Sequence, residues 1–155
     1  MRSVLFVCTA NICRSPTAEG VTRRLLREEG LDPERYEIDS AGTHDYHVGK
    51  PPFPDAVAIA RNRGYDITRC VARVVRAEDF DHFDHILAMD KGQLRYLKMI
   101  APTRSKEKIE LLLDYSDRYR GKDVPDPYGG KPKAYEKALD MIEDGCRGVV
   151  GLLAG

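Results

Sequence analysis

Residues 1–20 read MRSVLFVCTANICRSPTAEG, and the change of pattern inside this stretch decides the fold. Val4–Val7 is a continuous apolar, β-prone run, which is typical of a strand buried on both faces. Ser15 and Pro16 then predict a helix, with Ser15 as its cap and Pro16 at the first helical position. A buried strand that leads through a short turn into a helix is the usual first unit of an α/β fold.

The rest of the chain repeats this alternation. The pattern predicts further strands at Tyr36–Ser40, Phe83–Met89 and Ile109–Leu112, and helices at Asp55–Arg63, Lys91–Ile100 and from Ala134 through Leu153. This order predicts a three-layer, flavodoxin-like α/β fold, in which a parallel sheet carries helices on both faces. No repeat or linker interrupts it, so we expect a single domain over residues 1–155. Ligands of such sheets bind at the carboxyl ends of the strands, and the first such end is Val7–Cys8.

Composition limits the function. The 155 residues include 25 Lys plus Arg and 25 Asp plus Glu, so the net charge is zero. This balance argues against nucleic acid as a partner, because binding a phosphate backbone needs a basic excess. No apolar run approaches the roughly 20 residues of a membrane span, so no membrane association is expected. The four cysteines are not spaced like a secreted disulfide framework, which indicates a cytoplasmic protein with reduced thiols.

The turn after the first strand carries the chemistry. It reads CTANICRS, with five residues between Cys8 and Arg14. A loop of this length can curl so that its backbone N–H groups converge on an anion, and the following helix adds its positive dipole end. Arg14 can hold two phosphate oxygens with its planar guanidinium, and the same positive field favours a thiolate at Cys8. The predicted phosphate-binding loop is Cys8, Thr9, Ala10, Asn11, Ile12, Cys13, Arg14 and Ser15, where Ser15 can donate a hydrogen bond to the thiolate.

The stretch from Val7 to Glu19 resembles the phosphate loop of the low-molecular-weight protein tyrosine phosphatases. The resemblance continues in Ile38–Thr43, Glu78–Phe80, Ile86–Asp90, Ile109–Leu112 and Asp126–Tyr128. It implies the family's four-stranded parallel sheet (phosphotyrosine phosphatase I-like) and hydrolysis of phosphotyrosine through a phosphocysteine, without metal or cofactor. The implied partners are phosphotyrosine proteins, a tyrosine kinase among them, with inorganic phosphate as product. The implied functional residues are Cys8, Arg14, Ser15 and Asp126, with Asn11 holding the loop in shape.

A carboxylic acid is needed to protonate the leaving oxygen and later to activate water. Asp126 is the candidate for both roles, although Asp126-Pro127-Tyr128-Gly129 taken alone is simply a good turn. Tyr46 and Tyr128 are predicted to flank the cleft, because a flat aromatic wall suits a phenyl ring and favours phosphotyrosine over phosphoserine. Asp90 ends the third strand, where it would either support the loop or cap the next helix.

The remaining cysteines and the departures from the family give further expectations. Cys13 lies on the same loop as Cys8, and we expect a reversible Cys8–Cys13 disulfide, a feature of the family, that protects the nucleophile from over-oxidation. Many relatives have glycine at position 10, so Ala10 would be strained if that position needs a positive φ. Some relatives have histidine in place of Cys70, in a network that supports the loop serine. Cys70 and Cys146 are interpreted as packing residues.

Other functions remain open at this stage. The main alternative is an arsenate reductase on the same fold, but that chemistry needs additional cysteines in a flexible segment. A protein-arginine phosphatase usually has threonine where this chain has Ile12. A flavodoxin-like electron carrier would not need Cys8 and Arg14 together, and a phosphotyrosine-binding module would not need Asp126. The histidine pairs His44/His47 and His82/His85 lack further ligands, so no metal site is expected.

Overall fold

The computed structural model describes residues 2–155, in which strands and helices alternate along the chain. The strands are β1 (Arg2–Cys8), β2 (Tyr36–Gly42), β3 (His85–Ala88) and β4 (Ile109–Leu111). The helices are α1 (Arg14–Glu28), α2 (Pro54–Asn62), α3 (Asp79–His82), α4 (Lys91–Ile100) and α5 (Pro132–Ala154). Short 3₁₀ turns occupy Pro33–Arg35, Thr103–Lys108 and Leu112–Tyr115. No helix among the described residues is both long enough and apolar enough to cross a membrane.

The four strands form one parallel sheet in the order β2-β1-β3-β4. β1 is central, and Val4–Val7 is completely buried, as the apolar run predicts. Its last residues pair with β2 through Val7–Ala41 and Cys8–Gly42. On the other side Val7 pairs with Ala88 of β3. The carboxyl ends of the three neighbouring strands therefore meet at Cys8.

Alternate side chains of β1 build two apolar layers. Val4 and Phe6 belong to a cluster with α1, α2 and α5, whereas Leu5 and Val7 belong to a cluster with α3 and α4. Helices thus cover both faces of the sheet, and the predicted three-layer α/β class is confirmed. Cys8 continues the Val4–Phe6 alternation and so lies on the face covered by α1 and α5.

The helix cap predicted at Ser15 is wrong. α1 begins two residues earlier than predicted, at Arg14, and its N-cap, Cys13, makes no side-chain capping hydrogen bond. The Ser15 hydroxyl contacts the Cys8 sulfur instead, because the preceding loop curls back over the end of β1. In the first turn of α1, the Thr17 hydroxyl donates a hydrogen bond to the Cys13 carbonyl oxygen.

Other boundaries differ by small amounts. β2 runs past Ser40 to Gly42, because Ala41 and Gly42 pair with the end of β1. β3 is shorter than the predicted Phe83–Met89 and is preceded by α3, which the apolar pattern did not reveal. The helix α4 has its predicted bounds, and Asp90 caps it by accepting a hydrogen bond from the backbone N–H of Gln93.

Close packing of α5 against the Leu112–Tyr115 turn gives a test of the fold. A Cβ atom added at Gly148 would lie 1.9 Å from the Tyr115 carbonyl oxygen, whereas one added at Gly151 would meet nothing within 4 Å. We expect Gly148→Ala to lower the free energy of unfolding by about 2–3 kcal/mol through overpacking. The matched control, Gly151→Ala, should raise it slightly, since alanine is the better helix former. Urea unfolding followed by circular dichroism measures both, and equal effects would contradict the packing described.

Candidate active site

The loop between β1 and α1 forms a cup with the Cys8 sulfur at its base. The backbone N–H of Asn11 donates to the Cys8 Sγ at 3.3 Å, and the Ser15 hydroxyl lies 3.0 Å from the same sulfur. The Asn11 N–H and the Ser15 hydroxyl thus lie beside the sulfur, and the start of α1 adds the positive end of a helix dipole. The arrangement can hold a nucleophilic sulfur and an anion side by side.

Asn11 fixes the shape of this loop. It is the one residue other than glycine with a positive φ, +60°, in residues 2–155. Its Nδ2 donates to the Ser15 Oγ at 2.8 Å, and its Oδ1 accepts from the Arg73 backbone N–H at 3.0 Å. The strain expected at Ala10 does not arise, because the left-handed turn falls on Asn11, a residue type that tolerates it.

Arg14 is buried beside the cup and held along one edge. Its Nη1 donates to Asp90 Oδ2 and to the Val124 carbonyl, both at 2.9 Å. Its Nη2 lies 3.8 Å from Asp126 Oδ2. The opposite edge, Nε and Nη2, makes no hydrogen bond within the described part of the chain, so it is free to bind two oxygens of one phosphate. Asp90 therefore fills both roles expected of it, loop support and helix cap.

A cavity of about 180 Å³ opens above the sulfur and brings the predicted site residues together. Asp126 lies on its wall, half exposed, and its Oδ1 accepts from the Tyr128 N–H at 3.1 Å. The lining combines loop residues with residues far along the chain: Cys8, Thr9, Ala10, Ile12, Cys13, Arg14, Tyr46, His47, Asp126 and Tyr128. A cysteine sulfur, a cation, a carboxylate and two aromatic rings thus share one cleft.

The two tyrosines are supported by rings that sequence reasoning missed. Tyr46 stacks on His44 with centroids 5.1 Å apart, and His44 stacks in turn on Tyr96 of α4 at 5.8 Å. Tyr128 packs at 5.0 Å against Phe53. The sequence offered one signal for His44 and Phe53, namely their place in the loop after β2, because that loop leaves the sheet at the edge where Cys8 lies.

Nowhere in residues 2–155 do three His, Cys, Asp or Glu side chains gather as a metal site would require.

The other cysteines lie in apolar or acidic surroundings. Burial and the negative charges of Cys8 and Asp126 raise the pKa of the Cys13 thiol to about 12. Cys70 Sγ contacts Glu19 Oε1 at 3.4 Å, and burial and this carboxylate raise the pKa of Cys70 as well. Cys70 does not support Ser15, since Asn11 makes that contact. Cys146 is completely buried in the core and its pKa is raised to about 12 by desolvation.

Comparison with known proteins supports one family throughout. The model of the family described as low molecular weight phosphotyrosine protein phosphatase matches residues 3–154. The low molecular weight protein-tyrosine-phosphatase YfkJ of Bacillus subtilis is 40% identical over 146 residues, which cover 94% of this chain and 92% of the relative. A protein tyrosine phosphatase from Entamoeba histolytica, crystallised with Hepes in its active site, superposes with a TM-score of 0.94 at 36% identity, covering 99% and 97% of the two chains. Wzb of Vibrio vulnificus in complex with benzylphosphonate gives 0.84 at 28% identity, covering 97% and 98%.

The thiol environments predict selective alkylation at Cys8. With their pKa values raised to about 12, the Cys13 and Cys146 side chains stay protonated at pH 7.5 and become thiolates only as the pH approaches 12. We expect iodoacetamide at pH 7.5 to modify Cys8 alone and inorganic phosphate to slow the reaction. Peptide mass spectrometry measures this, with Cys8→Ser as the unreactive control. Equal labelling of Cys13 and Cys8 would contradict the described surroundings.

Proposed function

The chain belongs to the low molecular weight phosphotyrosine protein phosphatase family, and we propose that residues 1–155 act as one domain that hydrolyses phosphotyrosine through a phosphocysteine at Cys8. The observation that carries this mechanism is the shared cleft, in which the Cys8 sulfur, the free edge of Arg14 and the Asp126 carboxyl all face one small cavity. These three groups supply the nucleophile, the charge stabilisation and the acid that phosphate ester cleavage needs.

In the first step the Cys8 thiolate attacks phosphorus. A sulfur–phosphorus bond forms, and the bond between phosphorus and the tyrosine oxygen breaks. Asp126, protonated at this stage, gives its proton to the departing phenolate oxygen, so the tyrosine side chain leaves as a neutral phenol. Arg14 binds two of the phosphoryl oxygens through Nε and Nη2, while the loop amides bind the same group, and both stabilise charge in the transition state.

In the second step water removes the phosphoryl group. Asp126, now a carboxylate, accepts a proton from water as the water oxygen bonds to phosphorus. The sulfur–phosphorus bond breaks and inorganic phosphate is released. The Ser15 hydroxyl, 3.0 Å from the sulfur, donates a hydrogen bond to the regenerated thiolate and makes it a better leaving group. Neither step in this proposal uses a metal or a cofactor.

The aromatic walls support phosphotyrosine as the substrate. Tyr46 and Tyr128 line the cavity and are braced by other rings, so a phenyl ring can insert between them while its phosphate reaches the cup. The related Wzb binds benzylphosphonate, which joins an aromatic ring to a phosphonate. A side chain without a ring, such as phosphoserine, would leave these walls unfilled. We propose a phosphorylated tyrosine kinase among the substrates, and capture of a phosphoprotein by Cys8→Ser would identify it.

The arsenate reductase alternative receives no support from the structure. That reaction needs accessible cysteines that pass an arsenic adduct from one sulfur to the next. Cys70 is buried against Glu19, and Cys146 lies in the core. Cys13 alone lies beside Cys8 in the cavity, so neither Cys70 nor Cys146 is available to take the adduct onward from Cys13.

Removing the acid gives the direct test of the mechanism. We expect Asp126→Ala to lower kcat about 10²- to 10⁴-fold for phosphotyrosine, because the phenolate must then leave unprotonated. The loss should shrink for para-nitrophenyl phosphate, whose leaving group needs less help, and KM should not rise. Asp126→Asn is the matched control, since it keeps the shape and the acceptor oxygen but not the acid. Steady-state kinetics with both substrates measure the effect, and wild-type turnover in either variant would remove Asp126 from the mechanism.

We further propose that Cys13 is the redox partner of Cys8. Peroxide converts the Cys8 thiolate to a sulfenic acid and is reduced to hydroxide. The Cys13 thiol then displaces hydroxide from the Cys8 sulfur, the proton leaves with it as water, and a disulfide forms. The negative charge of Cys8 is one cause of the raised pKa of Cys13. Because oxidation removes that charge, Cys13 loses its proton more easily and the attack is assisted.

Reversibility distinguishes this disulfide from simple damage. We expect peroxide to inactivate the wild type and dithiothreitol to restore its activity, whereas Cys13→Ser should stay largely inactive because its sulfenic acid is oxidised further. Cys70→Ser is the matched control and should recover like the wild type. Activity with para-nitrophenyl phosphate before and after thiol treatment is the measurement. Full recovery of Cys13→Ser would sink the proposal.

A further inference from the structure

The first turn of α4 contacts the phosphate-binding loop near both of its ends. At the end of the loop, Asp90 Oδ2 accepts from Arg14 Nη1 at 2.9 Å. At the beginning, Gln93 Nε2 donates to the Thr9 hydroxyl oxygen at 3.0 Å. Thr9 directly follows the nucleophile, and Gln93 lies 84 residues further along the chain. One helical turn therefore holds the residue after Cys8 and the arginine that closes the loop.

Gln93 is held in place by hydrogen bonds other than the one to Thr9. Its Oε1 accepts from the backbone N–H groups of Met89 at 3.0 Å and Asp90 at 3.2 Å. Its own N–H donates to Asp90 Oδ1 at 2.9 Å, which completes a reciprocal capping box. The side chain is 3% exposed, so its rotamer is fixed by packing as well as by hydrogen bonds. The side-chain nitrogen Nε2 is therefore held at a fixed position from which it donates to Thr9.

Burial gives the Gln93–Thr9 contact its importance. A buried amide N–H without a partner is costly, and Thr9 is the partner that Nε2 has in residues 2–155. Displacing Thr9 from Gln93 would strand that donor, so the contact resists movement of the chain next to Cys8. The Asp90–Arg14 pair in the same turn resists movement of the guanidinium. The two contacts thus join one helical turn to both ends of the loop.

We propose that Gln93 is a positioning residue for the phosphate-binding loop, acting through Thr9. The inference rests on the proposed function, because it assumes that Cys8 and Arg14 act on one phosphate. It assigns no contact between Gln93 and the substrate. Its role is to hold Thr9 so that the loop N–H groups and Arg14 can bind the oxygens of one phosphate without rearrangement of the loop.

A double-mutant cycle with a rescue variant tests this inference. Thr9→Val removes the acceptor but keeps the shape and leaves the capping box intact. We expect kcat/KM for para-nitrophenyl phosphate and the affinity for inorganic phosphate to fall together by about three- to tenfold. Thr9→Ser restores the hydroxyl and should restore both. In the Gln93→Met background Thr9→Val should cost nothing more, because the contact is already absent.

The outcomes separate the possible roles of Thr9. If Thr9→Val costs the same factor with and without Gln93, the hydroxyl acts on phosphate by itself and the proposal is overturned. Wild-type behaviour of Thr9→Val would overturn it too. Phosphate affinity, measured by calorimetry, does not depend on turnover. A wild-type chain that binds phosphate but hydrolyses no ester would defeat the proposed function, and the cycle in phosphate affinity would still decide the role of Gln93.

A second variant keeps the test valid if Gln93→Met does not fold. Gln93→Glu preserves the capping box and the acceptor for Met89 and Asp90, but brings a titratable carboxyl to the loop. Its phosphate affinity, relative to the wild type at each pH, should fall between pH 4.5 and 7, because the protonated carboxyl can donate to the Thr9 hydroxyl as glutamine does, whereas the ionised carboxylate has no hydrogen to donate. A ratio that stays constant with pH would show that position 93 is not coupled to the loop, and would refute the proposal.

Discussion

The left-handed turn at Asn11 is the constraint on which the rest of the site depends. A residue other than glycine in this conformation costs on the order of 1 kcal/mol, and the two hydrogen bonds of the Asn11 side chain contribute about as much in return. The turn aims the Asn11 N–H at the Cys8 sulfur, and the side chain holds the Ser15 hydroxyl beside it. Without that turn, the Asn11 N–H and the Ser15 hydroxyl would not converge on the same sulfur.

The parallel sheet connects this loop to the arginine and its partners. Val7 of β1 pairs with Ala88 of β3, and Asp90 follows two residues later. The sheet register thereby brings a carboxylate to the buried guanidinium of Arg14. Burying a cation is expensive unless it is paired and hydrogen-bonded, and here Asp90 and the Val124 carbonyl meet that requirement. The same two contacts leave the opposite edge of the guanidinium for a ligand.

The floor and the rim of the cleft are built differently. Cys8 and Arg14 are each 3% exposed and are held by hydrogen bonds, Cys8 by the buried Asn11 and Ser15, and Arg14 by the Val124 carbonyl and the partly buried Asp90. Tyr46 and Tyr128 are 64% and 50% exposed, lie on loops, and are held mainly by ring packing. A rigid floor suits chemistry that is the same for every substrate, whereas a rim on loops suits selection among substrates.

The sequence by itself determined the order of the four strands and the four longer helices, the bounds of α4 and the phosphate-loop pattern from Cys8 to Ser15, because these depend on residues close together in the chain. It indicated both roles of Asp90 but assigned Ser15 to a helix cap, since local pattern cannot tell whether a serine faces its own helix or the preceding strand. Tertiary structure alone decided that Arg73 holds Asn11, that Gln93 holds Thr9 and that Tyr96 stacks on His44. Most of these partners lie tens of residues apart, and all of them meet only when sheet register and helix packing fix their separation.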